Sequence, residues 1–219
     1  MRYVSVLLAA IAVIVSAGSA NAAPITLDFE GIGDLKHIGS FYNGGAGGNL
    51  GVEFGSSAES LVSANAGGVG NFSNNPSGSS IAFFDWYSNS MSMNVANGFL
   101  NAFSFSYTSL YFPGVVSIWD GVNGTGTLLG IAALPTLSGN CGGGAPGDFN
   151  CWSAIAVNFA GTARSVKWSG VGNFLGIDDV KFNTVDANPA SPVPEPASIV
   201  LLGTGIGVAA LRRRFAKRS

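Results

Sequence analysis

The run Phe99-Leu100-Asn101-Ala102-Phe103-Ser104-Phe105-Ser106-Tyr107 decides the fold class. From Phe103 onward an aromatic residue alternates with serine, so Phe103, Phe105 and Tyr107 share one face of an extended strand and the serines share the other. Helical geometry would scatter these rings around an axis, whereas a two-residue period lines them up against a core. Ile155, Val157 and Phe159 repeat the device. Working outward, short runs rich in β-branched and aromatic residues occupy 25–29, 51–54, 80–86, 91–95, 99–108, 115–119, 127–134, 152–159, 165–168 and 174–182, separated by Gly, Asn and Ser. This spacing, with no convincing helical periodicity between the ends, predicts an all-β fold: a two-layer antiparallel β-sandwich, jelly-roll-like, over residues 23–186. The Gly/Asn/Ser stretches at 41–51 and 64–78 read as long surface loops, and 120–126 as a loop between two strands. In the last run Leu175 and Ile177 have one parity and Val180 and Phe182 the other, which predicts a bulge at Asp178-Asp179.

Composition points the same way. Only 10% of the 219 residues are charged and 32 are glycine, which favours turns and strands over charge-decorated helices. Of the twelve acidic residues, eleven fall within 23–192, opposed by Lys36, Arg164, Lys167 and Lys181, so that segment has a net charge of −7. Phosphate backbones need basic partners, and this balance argues against nucleic acid. His37 is the sole histidine and no G-x-S-x-G elbow occurs, so nothing marks a nucleophile with its base or a histidine-based zinc centre.

The two ends carry addresses. Residues 1–22 combine Arg2, an apolar run at 4–15 and the small-residue stretch Ser19-Ala20-Asn21-Ala22, the pattern of a cleavable signal peptide. Residues 187–196 form a linker broken by Pro189, Pro192, Pro194 and Pro196. The segment 197–219 then reads as a short transmembrane helix, apolar through 211, followed by Arg212, Arg213, Arg214, Lys217 and Arg218, whose charge should keep that end cytoplasmic. An apolar helix of this length is shorter than the roughly 30 Å hydrocarbon core, which makes it a marginal anchor.

Val193-Pro194-Glu195-Pro196, the short apolar segment and the terminal basic cluster, in that order, resemble the PEP-CTERM sorting signal of Gram-negative bacteria. The resemblance covers the C-terminal end only. It implies an exported protein, held at the inner membrane at least transiently, handled by an exosortase-type sorting protease, and associated with exopolysaccharide and biofilm at the cell surface or outside it. It assigns no activity to the body of the chain.

Export bears on the body's own chemistry. Cys141 and Cys151, the only cysteines, are expected to form one disulfide in an oxidising compartment. Asp28 and Glu30 at the end of the first strand, with Asp178 and Asp179 in the last, are the candidate ligands for a structural calcium ion if the terminal strands pair. Trp86 and Tyr87, at a strand end beside Ser88 and Asn89, are the aromatics best placed to stay exposed and stack on sugar rings; Trp119, Trp152 and Trp168 are expected to be buried or half-buried. These features favour a noncatalytic surface or matrix protein that contacts glycan. The alternatives are a secreted glycan hydrolase drawing two carboxylates from Asp28, Glu30, Asp34, Glu53, Glu59, Asp85, Asp120 and Asp148, or a purely structural surface protein.

Overall fold

The computed structural model describes residues 24–137, 141 and 149–184, all within one compact unit, Ala22–Ala187. The expected signal peptide, proline-rich linker, sorting motif and C-terminal apolar segment with its basic tail lie outside the described residues. Twelve strands run in chain order: β1 Ile25–Leu27, β2 Lys36–His37, β3 Asn43–Gly45, β4 Gly48–Asn49, β5 Val52–Phe54, β6 Ala58–Val62, β7 Ser80–Phe84, β8 Ser90–Thr108, β9 Gly114–Trp119, β10 Leu128–Leu134, β11 Ser153–Ser169 and β12 Gly176–Thr184. The hydrogen-bonded path is β10-β9-β11-β8-β12-β7-β6-β2, with β1 on β12, β5 on β8, and β3 paired with β4 as a separate hairpin. All these ladders are antiparallel.

One ladder makes two layers because β8 and β11 are long and change partners midway. The first half of β8 pairs with β5 and with the second half of β11, which also pairs with β9; the second half of β8 pairs with the first half of β11 and with β12. Register shifts between Asn158 and Thr162 and between Ala163 and Ser165 mark the corner. Gly98 (φ 79°) and Gly161 (φ 90°) supply the left-handed backbone there, and a Cβ on Gly98 would run into Thr162 and Ala163. The runs 91–95 and 99–108 are therefore one strand, as are 152–159 and 165–168. A glycine that looks like punctuation in the sequence bends the strand without ending it.

The core lies between the layers. Phe103, Phe105 and Tyr107 are buried as their alternation requires. Across from them, Trp168 packs its ring 5.6 Å from Phe103 and 5.7 Å from Phe105, centre to centre. Each full burial of a large apolar side chain contributes about 1.5–3 kcal/mol, so this aromatic seam contributes substantially to holding the sheets together. β7 is buried on both faces: Ala82 and Phe84 join the main core, while Ile81 joins Phe72 and Phe149 in a second cluster backed by Leu61, Leu110, Trp152 and Phe174. The strip covering that cluster is stitched down by the Phe149 amide donating to Asn71 O (3.0 Å) and the Trp152 indole donating to Ser73 O (3.0 Å). Cys141 and Cys151 form the expected disulfide beside it.

The expected bulge in β12 is present. Its register shifts between Asp178 and Lys181, and Asp179 takes φ 52°. The extra residue turns Asp178 inward, fully buried, and brings Val180 and Phe182 back to the core.

Candidate functional site

Three connections leave the sandwich at one end. Thr108 at the end of β8 faces Gly176 at the start of β12, Ser90 at the start of β8 faces Ser169 at the end of β11, and Ala82 of β7 faces Ile177. The loops 85–89, 109–113 and 170–175 are thereby gathered together. Their backbones are lashed to one another: the Asn173 amide donates to Phe84 O (2.7 Å) and the Gly170 amide to Asn89 O (2.9 Å). Within the first loop, Tyr87 N–H donates to Asp85 Oδ1 (3.1 Å), an Asx turn that fixes the Trp86 backbone. Gly172 is what lets the loops touch, since a Cβ there would collide with the carbonyl oxygens of Asp85 and Ser88.

On this fixed support Trp86 is 64% exposed and Tyr87 98% exposed. The Trp86 ring meets Phe174 edge-on at 5.0 Å and 87°, so one edge is anchored while much of the indole stays in solvent. Ser57, Ser88, Asn89 and Ser90 surround the two rings in an open hollow. Chemically this is a stacking surface with hydroxyl and amide groups at its rim, and the Asp85 carboxylate is engaged by the turn it holds. The other indoles have different fates: Trp168 is fully buried, while Trp119 and Trp152 are half-buried and donate to Ser117 Oγ and Ser73 O.

The four acids considered for calcium divide between tasks. Glu30 accepts from the Ser79 and Ser80 amides (2.7 and 2.6 Å) and from the Ser79 hydroxyl. Asp178 accepts from the Ser77 amide (3.2 Å) and the Asp179 amide (2.7 Å), so both acids pin the loop before β7 or its neighbour. Removal from water pushes the Asp178 carboxyl up to about 7 against the pull of these donors, with Asp179 adding to the rise. Asp28 is exposed and accepts from the Glu30 amide (3.2 Å), and Asp179 pairs with Lys181 (3.1 Å). Among the described residues no three His, Cys, Asp or Glu side chains are grouped as a metal ion would need.

Several of the remaining acids also hold backbone. Asp34 accepts from the Val62 and Val69 amides (2.9 and 3.1 Å). Asp120 accepts from Thr127 N–H (2.6 Å), and Thr127's amide and hydroxyl hold its carboxyl below the usual range. His37 is exposed on β2, its Nδ1 3.6 Å from Glu59. Asp148 lies outside the described residues.

Fold and site together define an antiparallel β-sandwich with an exposed aromatic loop end. Residues 192–214 match the PEP-CTERM protein-sorting motif, so the chain is a PEP-CTERM motif-bearing protein, marked for export, exosortase processing and sorting to the surface. No curated protein matches the chain at a significant level. Among solved structures it is similar to the K2 cleaved adhesin domain of Lys-gingipain (15% identity, 73% of this chain and 99% of that one, TM-score 0.46). It is likewise similar to the K1 cleaved adhesin domain of Lys-gingipain from Porphyromonas gingivalis W83 (9% identity, 74% and 99%, TM-score 0.43). A third similar structure is the C-terminal family 6 carbohydrate-binding module of LamC, a laminarinase of Zobellia galactanivorans (11% identity, 74% and 100%, TM-score 0.37).

Proposed function

We propose that this is a noncatalytic surface or extracellular-matrix protein that, once exported and sorted, associates with exopolysaccharide in a biofilm through glycan contact at Trp86 and Tyr87. The observation that carries the reading is the exposure of two adjacent aromatic rings on loops whose backbones are locked together. Large rings held in water are costly unless something covers them, and rigid presentation lowers the entropy lost on binding. Sugar rings present apolar C–H faces that suit indole and phenol, and the Ser and Asn rim suits their hydroxyls. The engagement of Glu30, Asp34, Asp120 and Asp178 in backbone hydrogen bonds supports contact over bond cleavage. A single such contact is weak; many copies sharing one surface gain avidity.

The test is retention of the purified full chain in gels containing bacterial exopolysaccharides. The parent is expected to be retarded by at least one polymer, and the Trp86→Ala/Tyr87→Ala double variant to bind at least tenfold more weakly with its thermal midpoint unchanged, since exposed side chains add little to stability. Equal retardation of parent and variant, or no retardation of the parent by any polymer, would overturn the proposal.

A further inference from the structure

We infer that the binding surface continues from Trp86 across Phe174 to a second aromatic subsite at Phe112 and Tyr111, and that its ligand is an uncharged polysaccharide chain. This rests on reading Trp86 and Tyr87 as the glycan contact and adds its extent and the class of polymer it accepts.

Phe174 is the hinge of the surface. From below it packs on the second cluster of Phe72, Ile81 and Phe149, which fixes its ring. From the sides it meets Trp86 at 5.0 Å, Phe112 at 4.9 Å and Tyr111 at 5.8 Å, all edge-on, so Trp86 and Phe112 lie within two ring contacts of one another. Tyr111 is 54% exposed and Phe112 43% exposed. Their loop is also tied down: the Ser109 hydroxyl donates to Phe112 O, and the Leu137 amide donates to Ser109 O (2.7 Å). The second pair of rings is therefore also presented on a tied-down loop, and the two pairs together suit successive units of a chain.

The polymer's charge follows from what the loops carry. In 85–89, 109–113 and 170–175 the sole charged side chain is Asp85. The bases of the body sit elsewhere: Lys36 on β2, Arg164 and Lys167 on the second half of β11, and Lys181 on β12 against Asp179. A uronate or phosphate-bearing polymer would meet no counter-charge here and would be repelled by a segment of net charge −7. The same electrostatics disfavour an anionic lipid surface, to which exposed aromatics would otherwise be suited.

The experiment titrates the purified full chain with neutral glucan oligosaccharides from disaccharide to hexasaccharide, and with alginate as the anionic probe. Affinity is expected to rise with length. Tyr111→Ser and Phe112→Ser should each cost about tenfold for the long oligosaccharides and nothing for the disaccharide, whereas Trp86→Ala costs about tenfold for both. Phe112→Tyr, which keeps the ring, should retain full affinity, and alginate should bind at least tenfold more weakly than a neutral chain. Length-independent affinity, or alginate binding as tightly, overturns the inference while leaving the Trp86–Tyr87 contact standing. So does self-association of the chain that Tyr111→Ser relieves without changing glycan affinity. If neither probe binds the parent, this inference is overturned, while the Trp86–Tyr87 contact is decided separately by the exopolysaccharide gels.

Discussion

Replacing Trp168 with alanine is expected to destabilise the sandwich by about 3–5 kcal/mol, a loss visible as a fall in thermal midpoint on the order of ten degrees. Trp168 is fully buried in the second half of β11, where it faces Met91 and Val116 in its own layer and touches Phe103 and Phe105 of the other. Removing it opens a cavity at the seam between the layers, and the surrounding strands are too constrained by their ladders to collapse into it. The phenylalanine variant separates packing from polarity. The Trp168 indole N–H is buried without a hydrogen-bond partner among the described residues, so Trp168→Phe gives up some volume but also removes an unsatisfied donor. It should therefore cost about 1 kcal/mol or less. Equal losses for the two variants would show that the seam is not where the layers are held together.

Raising the pH from 4 to 8 is expected to weaken the fold, the reverse of ordinary acid denaturation. Asp178 is fully buried behind the β12 bulge, near Tyr42 and Asp179, and burial raises its carboxyl from the usual 3.8 to about 7. Below pH 4 the carboxyl is protonated in both folded and unfolded chains, and the folded state bears no penalty. Between 4 and 7 the unfolded chain ionises while the folded one holds its proton, so stability falls, by on the order of 4 kcal/mol in all, and levels off above 7. Asp120, whose carboxyl is held below its usual range, loses its contribution only as the pH drops through that lower range, so its window lies below the one set by Asp178. The check is the thermal midpoint of the full chain across this range at constant ionic strength. The parent should decline toward pH 7, and Asp178→Asn should lose the slope whatever its absolute stability. A midpoint rising steadily from pH 4 to 7 would contradict the raised carboxyl of the buried Asp178.

The strands legible in the sequence are those whose inward residues are large and apolar. Phe103, Phe105 and Tyr107 declare their face, and the parity change around Asp178 declares the bulge. β6 escaped because its buried positions include Ala58 and Ser60, small side chains that carry no alternation signal. β2, β3 and β4 are too short to show a period. The two-layer corner was hidden because Gly98 and Gly161 look the same in sequence whether they end a strand or bend it. At the aromatic end, Trp86 and Tyr87 were legible from their place beyond a strand terminus. Phe174, Tyr111 and Phe112 were not, because each sits at the margin of a strand run and their juxtaposition depends on three distant loops meeting. The pair Tyr111-Phe112 before a proline was the available signal, since Pro113 interrupts the strand pattern and leaves both rings on a connecting loop. The backbone engagement of the acids was likewise beyond the sequence: Glu30 and Asp178 find backbone amides in 77–80, positions far from both in the chain.

Hydroxyl-radical footprinting of the full chain, with and without exopolysaccharide from the producing cell, tests the aromatic contact most directly. Trp86 and Tyr87 should be protected several-fold, while Leu35 and Val69, also exposed, keep their oxidation rates. Unchanged oxidation of Trp86 and Tyr87 while the polysaccharide is demonstrably bound would place the contact elsewhere and contradict the account.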